Sequence, residues 1–221
     1  LKATPLMVGD QLFLNTPLSV GVSLDAKTGE TRWIYNPKSY EDGTTTMSVI
    51  WNQRGVAYWS DGADDERIYW GTGNGYLICV DARTGRPCAD FGDNGRVDLM
   101  EGLPRAVRGV GPNRRNRFGV ASPPIVAHDV VVTPNVISDG TTTKEAPPGW
   151  LKGVDARTGD TKWTFRTVPQ ADDFGAETWL NESWRYSGNT NVWSMLSVDD
   201  ELGYIYLPIG TPTGDYYGGH R

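Results

Sequence analysis

The sequence is short of positive charge, of histidine and of sulfur. Lys and Arg number 21 against 27 Asp and Glu, a formal net charge of −6. A face that neutralises phosphates needs the opposite balance, which argues against a nucleic-acid partner. Long apolar runs are missing too: nothing approaches the ~18–20 consecutive apolar residues of a membrane-crossing helix. The two histidines, His128 and His220, have no metal-ligating neighbour at useful spacing, so solvated or structural roles are expected of both. There is no Gly-rich phosphate loop, no Ser-His-Asp order and no Cys-x-x-Cys pair, leaving NAD, ATP and hydrolase readings without support. The two cysteines, Cys79 in an apolar run and Cys88 after Pro87 in a turn, allow a bridge without compelling one. With 22% charged and 38% hydrophobic residues the chain is nonetheless ordinary for a folded protein. It begins at Leu1 without a signal-like segment and ends at Arg221 after a Gly-rich stretch, the appearance of a mature secreted protein or an excised piece.

What the chain does have is 27 Gly, 14 Pro and nine Trp in 221 residues, the turns and large aromatics of an all-β protein. A repeat organises them. Leu24-Asp25-Ala26-Lys27-Thr28-Gly29 precedes Trp33, Val80-Asp81-Ala82-Arg83-Thr84-Gly85 precedes Phe91, and Val154-Asp155-Ala156-Arg157-Thr158-Gly159 precedes Trp163. Asp accepts hydrogen bonds from N–H groups two residues on, and Gly supplies the positive φ of a tight hairpin. The aromatic that follows is then free to pack against a neighbouring unit. Short strands precede each turn, so every repeat reads as about four antiparallel strands, the composition of a β-propeller blade. Residues 202–208 begin a fourth unit. Closed propellers have about four to eight blades, and this length supplies three to four. The expectation is one partial propeller domain over 1–221, part of a larger ring. The stretches 36–54, 93–118 and 170–187 read as polar insertions between blades, where function tends to sit.

Four further stretches are more specific than the repeats: Arg54-Gly55-Val56-Ala57-Tyr58-Trp59, Ser122-Pro123-Pro124, Asn189-Thr190-Asn191-Val192-Trp193-Ser194, and Gly210-Thr211-Pro212-Thr213-Gly214-Asp215-Tyr216-Tyr217-Gly218-Gly219. Together with the Asp-Ala-x-Thr-Gly turns, they make the chain resemble the dehydrogenases dependent on pyrroloquinoline quinone (PQQ). The branch it is most similar to contains the membrane-bound glucose and quinate dehydrogenases. The resemblance implies an eight-bladed propeller, of which this chain matches roughly the first half. It also implies that Arg54 pairs with a PQQ carboxylate, a task its planar fork suits, and that Trp193 stacks beneath the quinone ring, an indole being the largest flat apolar face available. Read without the family, Arg54 is a solvated loop arginine and Trp193 a blade-packing tryptophan, although Trp193 lies outside the repeat register. Asp139 falls where the alcohol-dehydrogenase branch places a calcium-binding glutamate, making it the expected ligand of a divalent metal, Ca or Mg. An Asp-Gly turn is its plainer reading. Thr211 stands where that branch has an asparagine ligand and is expected to contact the cofactor, while Asn135 is expected to line the same cavity. The vicinal cysteines of the alcohol branch are replaced by Ser48-Val49, which removes their disulfide lid.

By resemblance, the reaction is oxidation of an alcohol, polyol or sugar hydroxyl by hydride transfer to PQQ, with the metal as Lewis acid. Electrons then pass to ubiquinone or a cytochrome. The family's catalytic aspartate and a PQQ-contacting lysine belong to later blades, so the 221 residues alone are expected to be inactive. A periplasmic location is expected, with membrane contact only through segments outside this sequence. A non-catalytic propeller scaffold of the envelope explains the repeats and the acidic charge equally well, but not Arg54, Trp193 and the 211–219 stretch.

Overall fold

The computed structural model describes residues 2–41, 52–106, 118–137, 145–214 and 217–219. Nearly all of their regular structure is β. The first sheet is the meander β1 (Leu6–Val8), β2 (Gln11–Asn15), β3 (Gly21–Asp25) and β4 (Thr31–Tyr35). The second is β5 (Ala57–Ser60), β6 (Glu66–Gly71), β7 (Tyr76–Asp81) and β8 (Arg96–Asp98). The third is β9 (Ile125–Ala127), β10 (Val130–Val132), β11 (Leu151–Asp155) and β12 (Thr161–Phe165). A fourth begins as the hairpin β13 (Ser197–Asp199) and β14 (Tyr204–Tyr206). All pairings are antiparallel between chain neighbours, which is the expected blade pattern. Helical structure among the described residues is confined to short 3-10 turns at Ala176–Thr178 and Leu180–Arg185. Among the described residues, no helix is long and apolar enough to cross a membrane.

The repeated turns form as their chemistry requires. Asp25 Oδ1 accepts from the N–H groups of Lys27 and Thr28, both at 2.9 Å, and Asp155 Oδ1 accepts from Arg157 at 2.8 Å and Thr158 at 2.9 Å. Asp81 Oδ1 takes the Thr84 N–H and hydroxyl. Gly29, Gly85 and Gly159 sit at φ 74°, 70° and 77°, a region closed to most side chains.

These turns also lock one blade to the next. Trp33 on β4 lies against Gly85 of the second blade, where an added Cβ would come within 2.6 Å of the indole, and its Nε1 donates to Ala82 O at 2.9 Å. Between the second and third blades, Phe91 packs beside Gly159, Gly92 N donates to Thr158 O at 2.8 Å, and the Tyr69 hydroxyl donates to Ala156 O. The largest apolar cluster fills this second seam, with Tyr69, Leu77, Cys79 and Phe91 against Val131, Val154 and Ala156. A second cluster, including Phe13, Trp33, Ile68 and Trp70, fills the first seam.

Two expectations need correction. The stretch 93–118 is not merely a polar insertion: it contains β8, and Leu99, Met100, Leu103 and Phe118 are buried in the main core. The Gly- and Asn-rich turn at 92–95 conceals a strand of only three residues, because its pairing with β7 is a tertiary choice rather than a local one. The stretch 170–187 likewise has a small core of its own, with Ala176 and Trp184 buried on Val168. Cys79 and Cys88 are both buried and free. His128 occupies the β9–β10 turn at φ 51°, as its strand-edge position suggested, whereas His220 lies outside the described residues.

Candidate functional site

Arg54 is the residue just before Gly55, where the chain enters the second blade. Its backbone is held from two sides, N–H to Ala121 O and carbonyl from Thr4 N–H, each at 2.9 Å. The next residue, Gly55, has φ 150° and lies so near Thr4 O that an added Cβ would sit 3.1 Å from it. This fixes where the Arg54 side chain leaves the backbone. Its Nη1 donates to Ser122 Oγ at 3.0 Å and to Trp193 O at 3.1 Å, and Ser122 Oγ itself donates to Trp193 O at 2.6 Å. The guanidinium carbon is 5.6 Å from the centroid of the Trp193 ring. Arg54 and Trp193 therefore touch. Partial burial pushes the Arg54 pKa below its ordinary value, and among the described residues no carboxylate opposes that effect.

Trp193 is 48% exposed, against 8% for the blade-locking Trp33. An indole this open beside a desolvated guanidinium is a flat apolar face with a cation at its edge. The irregular segment leading to it is held from both flanks. On one side Asn189 bridges Pro148; on the other it bridges Pro212, Thr190 N donates to Thr211 O at 3.0 Å, and Gly210 N donates to Asn191 O at 2.9 Å. Asn189 and Thr190 both have positive φ, 58° and 52°, which is costly for a β-branched residue and persists only where neighbours over-determine it.

Asn135 is buried and commits its amide to the backbone. Its Nδ2 donates to Gly149 O at 2.9 Å and Trp150 O at 3.1 Å, its Oδ1 accepts from Val192 N at 3.2 Å, and its own N–H donates to Val192 O at 3.0 Å. Both amide hydrogens are thus spent on the 149–150 backbone, while Oδ1 and the main-chain N–H fix Val192, the residue before Trp193. Thr211 is exposed on the segment that flanks Thr190. Asp139 and Ser48-Val49 lie outside the described residues, among which no group of three or more His, Cys, Asp or Glu is arranged to hold a metal.

The structure therefore joins Arg54 and Trp193 directly, with Asn135 bonded to Val192 and Thr211 O to Thr190 N on the segment that carries the indole. Ser122, the hydroxyl linking the two, is an unassigned participant. Its signal was the Ser122-Pro123-Pro124 stretch of the resemblance, in which the first Pro restricts Ser122 to extended geometry.

The family described as PQQ: glucose/ethanol/alcohol dehydrogenase, beta-propeller domain matches residues 1–221. The quinoprotein glucose dehydrogenase A of Acinetobacter calcoaceticus is 29% identical over 240 residues, covering all of this chain and 28% of that protein. The quinate/shikimate dehydrogenase (quinone) of Acinetobacter baylyi is 32% identical over 243 residues, with the same coverage. Among solved structures, a quinohemoprotein alcohol dehydrogenase from Pseudomonas putida shares the fold at a TM-score of 0.76, with 24% identity over 96% of this chain and 28% of that one. The chain spans less than a third of the length of these relatives.

Proposed function

This chain belongs to the family of glucose/ethanol/alcohol dehydrogenase β-propeller domains, and on that premise we propose that it supplies one wall of a PQQ site in an oxidoreductase acting on a sugar, polyol or other alcohol. The observation that carries the reading is the contact between Arg54 and Trp193: an open indole face with a half-buried guanidinium at its edge and, among the described residues, no acid to neutralise it. A planar molecule bearing several carboxylates fits both features at once. Stacking removes apolar ring surface from water, and the guanidinium offers two parallel N–H donors to a carboxylate in a partly dehydrated setting. A scaffold that binds only other proteins has no need of a desolvated cation held in this way.

When bound, PQQ supplies a quinone able to accept two electrons from the carbon of a CH–OH group. The residues of the chain bind and orient. Trp193 forms the platform, and Arg54 fixes the in-plane orientation through a carboxylate. Ser122 and Asn135 hold the platform's backbone, and Thr211 contacts the cofactor from the flanking segment. Asp139 provides a carboxylate oxygen to a divalent cation, Ca or Mg. The residues 1–221 act as part of one propeller domain in the periplasm, with ubiquinone or a cytochrome receiving the electrons. Two relatives are named for glucose and for quinate or shikimate, which favours a polyhydroxylated substrate over a simple alcohol.

Titration of the purified protein with PQQ and Ca²⁺, followed by tryptophan fluorescence, tests this. Saturable quenching is expected, and Trp193→Ala abolishes most of it while Arg54→Met weakens affinity by about tenfold or more. Equal affinity in all three proteins contradicts the reading. Dye reduction with glucose, quinate and simple alcohols by the 221 residues alone is expected to be absent.

A further inference from the structure

Resting on Trp193 as the cofactor's platform, we propose that Arg105 is a positioning residue for it, its guanidinium fixing the origin of the segment that leads to the indole. Arg105 lies in the excursion between the second and third blades, after Pro104. Its Nε donates to Ala146 O at 2.8 Å, Nη1 to Arg185 O at 2.7 Å and Nη2 to Ser187 O at 2.8 Å. One planar fork thus gathers three carbonyls from two separate segments. Those segments meet at backbone distance: an added Cβ on Gly188 would lie 2.1 Å from Ala146 O. Carbonyl dipoles converging on one point repel each other, and the cation offsets that repulsion. Arg105 is itself in the left-handed region at φ 59°, a conformation that a non-glycine residue keeps only when its surroundings enforce it.

The consequence runs along the chain. Beyond the Ala146–Ser187 junction, Asn189 N donates to Pro147 O at 2.8 Å and Gly149 N donates to Asn189 O at 2.6 Å, so the two segments continue side by side. Asn189 and Thr190 then take their left-handed turns, and the segment reaches Trp193, whose carbonyl Arg54 holds. The strained pair is therefore tethered at one end by Arg105 through Ser187 and at the other by Arg54 through Trp193. Arg105 makes no hydrogen bond to Trp193; it acts through the 187–193 segment. Releasing the Arg105 end lets Asn189 and Thr190 relax, and the indole loses its fixed plane.

The test is a double-mutant cycle in the purified protein, reading PQQ affinity in Ca²⁺ with the melting temperature alongside. Arg105→Met is expected to weaken PQQ binding by about tenfold, as loss of charge-assisted hydrogen bonds would. In the background of Trp193→Ala, which lacks the platform that Arg105 orients, the same change is expected to cost less than about twofold. Equal losses in both backgrounds, or a fall in melting temperature with PQQ affinity intact, overturn the inference. Should Arg105→Met fail to fold, Arg105→Lys carries the cycle. A single ammonium cannot match three carbonyls set out for a fork, so affinity falls by about threefold, and unchanged affinity overturns the inference. Unchanged PQQ affinity in Trp193→Ala alone removes the platform itself, a failure of the proposed function and distinguishable from the others.

Discussion

Strands β4 and β12 are written almost alike, Thr-Arg-Trp-Ile-Tyr and Thr-Lys-Trp-Thr-Phe, each following the same Asp-Ala-x-Thr-Gly turn. Their surroundings differ. Trp33 on β4 is 8% exposed because the turn of the next blade lies against it, Gly85 under the ring and Ala82 O accepting from its Nε1. Trp163 on β12 is 37% exposed, every residue of β12 is open to solvent, and the ring rests on Gly153 of its own sheet. Among the described residues no neighbouring turn covers it. The repeat is thus half of a joint. A turn and an aromatic do not stabilise their own blade so much as the seam to the following one, as in other repeat architectures where stability resides in nearest-neighbour interfaces.

Removing each ring is the most direct way to break this comparison. Trp33→Ala is expected to destabilise the fold by about 3–5 kcal/mol, the range for deleting a buried large aromatic, whereas Trp163→Ala costs about 1 kcal/mol or less. Urea midpoints with unchanged m-values would measure both, and equal losses would show that the ring matters to its own sheet rather than to the seam. The glycine under the ring sharpens the point. Gly85 and Gly29 have similar positive φ, but a Cβ on Gly85 meets the Trp33 ring at 2.6 Å while one on Gly29 meets nothing within 4 Å. Gly29→Ala therefore costs only backbone strain, about 1 kcal/mol, and Gly85→Ala about 2–3 kcal/mol because the rigid ring must also move. If the two glycines behave alike in thermal unfolding, Trp33 is not held as described.

The turns, the strands they join and the aromatic that follows were legible because each is local chemistry: an Asx turn, a positive-φ glycine, a short alternating strand. Strand β8 was not, since its three residues take strand form only through β7. The contact of Arg54 with Trp193 spans 139 residues of chain, and only the family resemblance foresaw that the two belong together. Asn135 was expected to line the cavity, yet its amide hydrogens go to the carbonyls of Gly149 and Trp150. Arg105 was invisible for a general reason: its partners are three main-chain carbonyls, and every residue has one, so no side-chain pattern marks the acceptors.

The smallest expected difference between the two repeats is electrostatic. Asp25 is held by Arg32, whose guanidinium also reaches Asp10, with the Thr28 and Lys27 N–H groups adding to the effect, so its carboxyl titrates well below the usual range. For Asp155, partial burial works in the opposite direction, but the Thr158 N–H, the Lys162 ammonium at 2.9 Å and the Arg157 N–H outweigh it and bring the pKa from 3.8 to about 2. A folded-state pKa below the unfolded one means that the carboxylate's contribution is complete above pH 3.8 and is lost as pH falls through the folded value. Asp155 therefore stops contributing between about pH 4 and pH 2, whereas Asp25, which accepts one bond from Arg32 Nη2 as well as the turn's N–H groups, holds on to lower pH. Asn in place of either aspartate keeps an oxygen for the turn's N–H groups and removes only the charge. Melting temperature followed from pH 5 to pH 2 should then fall less steeply in Asp155→Asn than in the parent protein. Asp25→Asn should flatten the same window less, because much of its titration lies further down. Both effects are small at these solvent-accessible sites and shrink in high salt. An acid slope in Asp155→Asn identical to that of the parent would mean that the Lys162 pair contributes nothing, and that the two turns differ only in what packs upon them.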